Sequence, residues 1–554
     1  MGEVPVCRSL RKPLEIGNGG VTLVIGRVSQ ADTHESGKRI RKGGLFTMFH
    51  RSLWFATAVA CGSILISPCR ADDPPPRPNI LFLLADDWMY PHASCLGDPV
   101  VQTPTFDRLA REGVLLRNAY AAAPSCTPSR GAMLTGQWHW RLEHGANLNI
   151  FLPSKFDTYP DLLEKAGYHI GFMRKGWAPG QATGGGRTRN PAGPRFRSFA
   201  QFLAARPRGK PFCFWFGSTD PHRPYAWESG VDGGLDPAKV VVPPYLPDCE
   251  TVRKDICDYY SRVQRFDRRA GELLAMLERT GELDNTLVVM TGDNGWPFPR
   301  CKATVYETGT HEPMAIRWGA RVKPGLVVDD FVSLSDLAPT FLEAAGLAAP
   351  KAMTARSLMP ILKSKTSGWI DPVRDHVLMG METHSVCRPV GNDLCVGYPM
   401  RAIRTKDFHF IRNFKPERWP TGDPNGCDVA GETPFTYDQL AGNAPVGFAA
   451  TRLAFGDVDA SPTKAWMMLH REDPRVEPLW KRAFDKRPAQ ELYDLREDPY
   501  QMRNVADDPA YANTLRQLED RLMSELTATG DPRAAGRGDE FDEYNESRRR
   551  QPQN

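Results

Sequence analysis

Two short apolar runs that end in acids constrain the fold of this chain more than any other feature. Residues 79–87 read NILFLLADD and residues 285–295 read NTLVVMTGDNG. An unbroken apolar run is how a strand buried on both faces reads, and polar residues at its end mark the carboxyl edge of a parallel sheet. Helical patterns lie between and beside them. TPTFDRLAREG offers Thr103 as cap, Pro104 at the first helical position, Phe106, Leu109 and Ala110 on one face, and Gly113 as stop. DTYPDLLEKAGY reads as a second helix, and DICDYYSRVQRFDRRAGELLAMLERTG as a long amphipathic one. VLLRNAYA, HIGFM and KPFCFWFG read as further strands. This alternation predicts an α/β layered sheet with helices on both faces and a site along one sheet edge.

After about residue 350 the pattern changes. DHVLMGME and MRAIRTKDFHFIRNF alternate as a small antiparallel sheet would, so a smaller C-terminal α+β domain is expected. Residues 415–460 are rich in Pro, Gly, Asn and Asp and read as loop, and TLRQLEDRLMSELTATG reads as a terminal helix. The charged stretch from Asp531 reads as a disordered tail. The start of the chain looks like an address. HRSLWFATAVACGSILISPCRADD has a basic start, an apolar run too short for a membrane span and a small residue, Ala71, before polar sequence. Export to the periplasm or the outside is expected, with translation starting at Met48. The expected organisation is 1–47 extension, 48–71 signal peptide, 72–78 stiff linker, 79–355 catalytic domain, 356–530 C-terminal subdomain and 531–554 tail.

Charge excludes one class of partner. The formal net charge is +4, but residues 1–71 carry +6 of it, so the body carries −2. It has no polyanion-binding excess, and nucleic acid is not an expected ligand. Of 12 cysteines, three lie in the leader and nine remain. In an exported protein they permit disulfides, with Cys249–Cys257 and Cys387–Cys395 as local pairs and Cys126 as the odd one.

The chemistry gathers in two places. Asp86, Asp87, Asp293 and Asn294 end two strands. If they converge, three carboxylates and an amide carbonyl make a hard oxygen cage for Ca²⁺ or Mg²⁺, and if not, each pair caps a turn. The second place is APSCTPSRGAML, residues 123–134, whose core is Cys126-Thr127-Pro128-Ser129-Arg130. A lone cysteine at a helix start is usually a small buried residue. This string, however, resembles the signature of the type I sulfatases of the alkaline phosphatase-like superfamily, and the similarity runs from about Asn79 to Ala506.

That resemblance implies an alkaline phosphatase-like fold and a Cys126 oxidised to formylglycine by a formylglycine-generating enzyme. It implies that Asp86, Asp87, Asp293 and Asn294, with residue 126, hold calcium, or less readily magnesium. It implies that Arg130 steadies the nucleophile and that Lys175 and Lys302 bind sulfate. His222, in DPHRPY, would contact sulfate and protonate the leaving group. DNGWPFP, DPHR, VVPPYLPD, SLSDLAPT and GYPMRAIRT resemble the N-sulfoglucosamine sulfohydrolases within that family, which makes His384 and Arg401 candidates for substrate binding. The implied substrate is an N-sulfated, or failing that O-sulfated, sugar or glycosaminoglycan fragment, and the family leaves room for a homodimer. One departure stands out: Trp177 occupies the place of a second histidine, for which His139, His144 or water would have to substitute. Two rival readings remain. One is a phosphodiesterase or phosphonate hydrolase of the same superfamily, and the other a degenerate, non-catalytic sulfated-glycan binder.

Overall fold

The structure, a computed structural model, describes residues 77–385, 387–390, 394–424 and 454–545. The leader with its expected signal lies outside them. The first half of the described chain runs β1 (Asn79–Ala85), α1 (Pro104–Glu112), β2 (Val114–Tyr120), α2 (Cys126–Thr135), α3 (Tyr159–Lys165), β3 (His169–Arg174) and β4 (Phe212–Gly217). It continues with α4 (Glu250–Arg279), β5 (Thr286–Gly292), β6 (His311–Arg317), β7 (Leu326–Ser333) and α5 (Leu337–Ala344). The seven strands form one sheet in the order β3-β4-β1-β5-β6-β2-β7. β1 lies parallel to both β4 and β5, whereas β6 runs against β5 and β2.

Why β1 must be apolar throughout follows from what covers it. Leu81, Leu83 and Ala85 pack with Phe106, Leu109 and Ala110 of α1 and with Ile256, Val263 and Phe266 of α4. Ile80, Phe82 and Leu84 point the other way, into a second cluster with Leu163 of α3 and Leu337, Phe341 and Leu342 of α5. Both faces are therefore core, and each such side chain contributes about 2 kcal/mol by leaving water. α1 behaves as expected with one difference. Thr103 sits at the cap position, but its hydroxyl donates to Asp107 Oδ1 at 3.0 Å rather than accepting from the helix. Gly113 follows α1 as its cap, and only glycine fits there because a Cβ would lie 2.0 Å from Ile316 O of β6.

The second half holds β8 (His376–Met381), β9 (Met400–Thr405), β10 (Phe408–Asn413), α6 (Pro462–Leu469), β11 (Gln490–Asp494), α7 (Ala512–Ala528) and α8 (Glu540–Tyr544). The four strands make the expected antiparallel sheet, ordered β11-β10-β9-β8. Both sheets belong to one compact unit. Among the described residues no helix is long and apolar enough to cross a membrane.

Two expectations are corrected here. Residues 531–545 are packed, not a free tail: Asp531 and Phe541 are buried, and Asn147 Nδ2 donates to Phe541 O at 2.8 Å. Two apolar anchors, Phe541 and Tyr544, are what the charge-rich composition hid. Cys95, Cys126, Cys213, Cys249, Cys257, Cys301 and Cys387 are free thiols. Cys249 and Cys257 sit two turns apart along α4, about 12 Å by helix rise, beyond disulfide reach. Cys387 instead approaches Asp457 Oδ1 at 3.3 Å.

Candidate active site

Strand register brings the acids together. Ala85 pairs with Gly292, so Asp86-Asp87 and Asp293-Asn294 leave the sheet side by side. Leu84 pairs with Gly217 and Gly217 with Arg174, so Lys175 and the loop that carries His222 leave the same edge. Gly217 is needed there, since a Cβ would lie 1.6 Å from Lys175 O. The loop after β2 then delivers Cys126 as the first residue of α2. Asp86, Asp87, Cys126 and Asp293 each offer an atom within 4.8 Å of the others, and Asp87, Cys126 and His222 do the same.

The donor set fits a hard divalent cation. Asn294 Nδ2 donates to Asp87 Oδ1 at 2.8 Å. Its carbonyl Oδ1 is buried and has no hydrogen-bond partner among the described residues. A buried acceptor left over beside three carboxylates is the arrangement a Ca²⁺ or Mg²⁺ ion completes. Asp87 has the left-handed φ of 72° and is held in it, its N–H donating to Asp293 Oδ1 at 2.9 Å and its carbonyl accepting from Tyr259 Oη at 3.1 Å.

Cations surround the acids. Arg130 is wholly buried and fully occupied, with Nε on Asp293 Oδ2 at 2.7 Å and Nη1 on the carbonyls of Lys175 and Gly176. It therefore positions the acids and the Lys175 loop. Lys175 Nζ donates to Asp86 Oδ1 at 2.6 Å, and Lys302 Nζ to Asp87 Oδ2 at 2.8 Å and Asp459 Oδ2 at 3.1 Å. Burial alone would raise the pKa of Asp86, but Lys175, with His222, Arg130 and Lys302, holds it well below the usual carboxylate range. Burial raises Asp293, and it raises the Cys126 thiol well above its ordinary value despite Lys175. Residue 126 as a cysteine is thus a neutral thiol, a poor nucleophile.

His222 is about one-third exposed, with Nε2 3.8 Å from Asp87 Oδ2. Its Nδ1 meets Arg223 O at 2.5 Å, and since a carbonyl only accepts, Nδ1 carries a proton. Nε2 is then the atom that gains or loses one. His384 joins the group through Ser125, its Nδ1 2.8 Å from Ser125 Oγ at the start of α2. Burial holds its imidazole down at about 4.

Not every expected residue is here. Arg401 is fully buried away from the cluster, its guanidinium donating to Asp531 Oδ2 at 2.7 Å and Glu382 Oε1 at 2.6 Å, with Arg533 on the same Glu382. It is a structural ion group, not a substrate-binding residue. His144 stacks between Phe151 and Tyr544, and His139 lies edge-on to Trp140. No contact among the described residues joins either to the acids, so neither replaces the missing histidine. Trp177 is core, packed in the cluster that backs α2. Sequence reasoning missed Asp459, which stands in a stretch that reads as plain loop. It also missed Glu312, a buried acid whose oxygens have no partner among the described residues and whose pKa burial raises well above the usual range.

Comparison with known proteins agrees with this architecture. The sulfatase family model matches residues 78–186 and 195–347, and the model "N-sulphoglucosamine sulphohydrolase, C-terminal" matches residues 292–421. An ulvan-active sulfatase of Formosa agariphila is 29% identical over 502 residues, covering 82% of this chain and 76% of its own. Human N-sulphoglucosamine sulphohydrolase is 28% identical over 533 residues, covering 85% and 94%. Among solved structures, a complex with its substrate D-glucosamine-2-N,6-O-disulfate shares the fold at TM-score 0.54 and 19% identity, over 82% of this chain and 98% of that one. A phosphonate monoester hydrolase from Silicibacter pomeroyi shares it at TM-score 0.57 and 19% identity, over 82% and 96%.

Proposed function

The chain belongs to the sulfatase family and is a sulfuric ester hydrolase, and from that premise we propose that it removes N-sulfate groups from amino sugars of glycosaminoglycan type. One observation carries the reading: Cys126, three acids and the cations Lys175 and Lys302 meet at one sheet edge. The ulvan-active sulfatase and the human N-sulphoglucosamine sulphohydrolase favour a sulfated sugar, and the match to the N-sulphoglucosamine sulphohydrolase C-terminal model favours the N-sulfate. The leader favours export, to the periplasm or the outside.

Asp86, Asp87, Asp293 and Asn294 would hold calcium, which would polarise a sulfate oxygen and neutralise charge. Residue 126, oxidised by a formylglycine-generating enzyme and hydrated, would supply a hydroxyl to attack sulfur and a second one whose deprotonation frees the sulfate. The remaining work falls to the chain's own side chains. Asp86, Asp87, Asp293 and Asp459 set four negative charges against the three of Arg130, Lys175 and Lys302. With His222 protonated these charges cancel, so a bound divalent ion would give the site the net positive charge that suits the substrate anion. Lys175 and Lys302 would then turn their ammonium groups toward the sulfate. His222, protonated at Nε2, would give that proton to the departing amine. The test is paired assay of glucosamine N-sulfate and glucosamine 6-sulfate by the calcium-loaded enzyme. Faster release from the N-sulfate is expected, and release from the 6-sulfate alone would overturn the N-sulfate assignment. Asp293→Ala is expected to lose both bound metal and turnover, and retention of both would overturn the ligand set.

A further inference from the structure

The acid cluster is nearly closed. Asp86, Asp87, Cys126, Asp293 and Lys302 are at most 4% exposed. Among the described residues the cluster opens to solvent at Lys175, His222 and Asp459, whose side chains are 12%, 34% and 26% exposed. Lys175 and His222 both stand beside a patch of guanidiniums. Arg174 directly precedes Lys175, and its Nη1 donates to Thr219 Oγ1 at 3.3 Å. Asp220 comes two residues before His222, and its carbonyl accepts from Asp86 N at 2.9 Å. Its carboxylate accepts from Arg265 Nε at 2.8 Å and Arg269 Nη1 at 2.9 Å. Arg262 lies over the ring of Tyr225, 6.0 Å from its centre, and Tyr225 Oη donates to Pro221 O at 2.6 Å. Arg262, Arg265 and Arg269 are three and four residues apart along α4, so they share the helix face turned to the His222 loop.

These four guanidiniums outnumber the acids beside them. Asp220 is buried and already shared between Arg265 and Arg269. Asp258, one turn before Arg262, accepts from the backbone N–H groups of Glu228 and Gly230. Arg269 registers the excess: burial lowers its pKa, and Arg174 and Arg265 lower it further, against Asp220 and Glu272. Arg174 and Arg262 have no acidic partner among the described residues. Arg174 is exposed, and Arg262 is half-buried with its Nε covered, so its Nη groups are the part that reaches solvent. Unpaired guanidiniums at a solvent-facing opening concentrate anions there, and their forks suit sulfate and carboxylate oxygens.

We propose that this patch, through Arg174 and Arg262, is a subsite for a second anionic group of the substrate, a sulfate or carboxylate on a sugar next to the one that enters the cluster. The proposal rests on the reading of the chain as a hydrolase of sulfated sugars, and it makes the preferred substrate an oligosaccharide rather than a single sugar. The body of the chain, at −2, has no general attraction for polyanions. Positive charge confined to the opening therefore selects anions that also fit the cluster.

Arg262→Gln is the deciding variant, because Arg262 holds no ion pair or hydrogen bond among the described residues whose loss would cost the fold. Hydrolysis of glucosamine N-sulfate and of a heparin tetrasaccharide is compared in the wild type, Arg262→Gln, Arg174→Gln and the double variant. The KM for the tetrasaccharide is expected to rise roughly threefold in each single variant and about tenfold in the double, with the monosaccharide KM and both kcat values unmoved. The wild-type kcat/KM for the tetrasaccharide should also fall more steeply with salt than that of the double variant. An unmoved tetrasaccharide KM in Arg262→Gln, or equal rises for both substrates, would overturn the proposal. Equilibrium dialysis of a labelled tetrasaccharide reads the patch without turnover. If the proposed reaction is wrong, sulfate release is absent while the variants still bind the tetrasaccharide more weakly than the wild type. If the subsite is wrong, release persists and the wild type and variants bind alike.

Discussion

At the scale of single residues, the site is a balance of buried charges, and changing one member has a predictable sign. Asp459 sits on Lys302 and offsets its charge. Asp459→Asn should tighten inhibition by inorganic sulfate roughly three- to tenfold, read from competition assays, and weaker inhibition would contradict the assigned balance. His384 gives a pH prediction. The folded chain protonates it only at about 4, whereas the unfolded chain does so near 6.5. Between those values the unfolded state binds the extra proton. The stability this histidine contributes is therefore present above about pH 6.5 and lost as pH falls toward 4, by up to about 3 kcal/mol. Urea titrations at pH 7 and 4.5 should show a smaller acid loss for His384→Asn than for the wild type, and equal losses would contradict a buried neutral ring. The acids, Cys126, Lys175, Lys302 and His222 were legible in the sequence because each follows a strand or carries a distinctive string. Asp459 was not, because its partner Lys302 lies 157 residues away, and Glu312 was not, because it is a single acid inside β6 with no motif around it. Arg401 was misread for a similar reason: its sequence neighbours suggest a pocket, while its acids come from residues 382 and 531.

At the scale of elements, the sheet edge is a set of strand ends held in register. Gly217 is the tightest point, with the Lys175 carbonyl where a side chain would go. Gly217→Ala should push the ends of β3 and β4 apart, cost about 3 kcal/mol and carry Lys175 off Asp86. A displacement of an ångström in a positioning group costs on the order of hundredfold in rate, so turnover at a temperature where the variant is folded should fall by that order. Unchanged turnover would mean Lys175 is not placed by this contact. The strands and helices of the first half were readable because runs covered on both faces and amphipathic helices leave clear patterns. The packed segment 531–545 was not, since its order comes from two aromatic anchors and ion pairs to distant residues rather than from any periodicity.

At the scale of the whole molecule, the second sheet is tied into the first by more than apolar packing. Gly380 N of β8 donates to Ala122 O, just before the Cys126 loop, and the Arg401–Asp531 and Arg533–Glu382 pairs lock the C-terminal segment beneath it. Asp531→Asn leaves a buried arginine short of its partner and should cost about 3–5 kcal/mol, measured as a shift in urea midpoint. A cost near zero would restore the reading of this segment as a dispensable tail.

The most direct measurement of the central claim is peptide mass spectrometry across residues 123–134, on protein made in a host that converts a control sulfatase. The account predicts formylglycine at position 126 together with sulfate release from a sulfated amino sugar. An unmodified Cys126 thiol in protein that still turns over would contradict it.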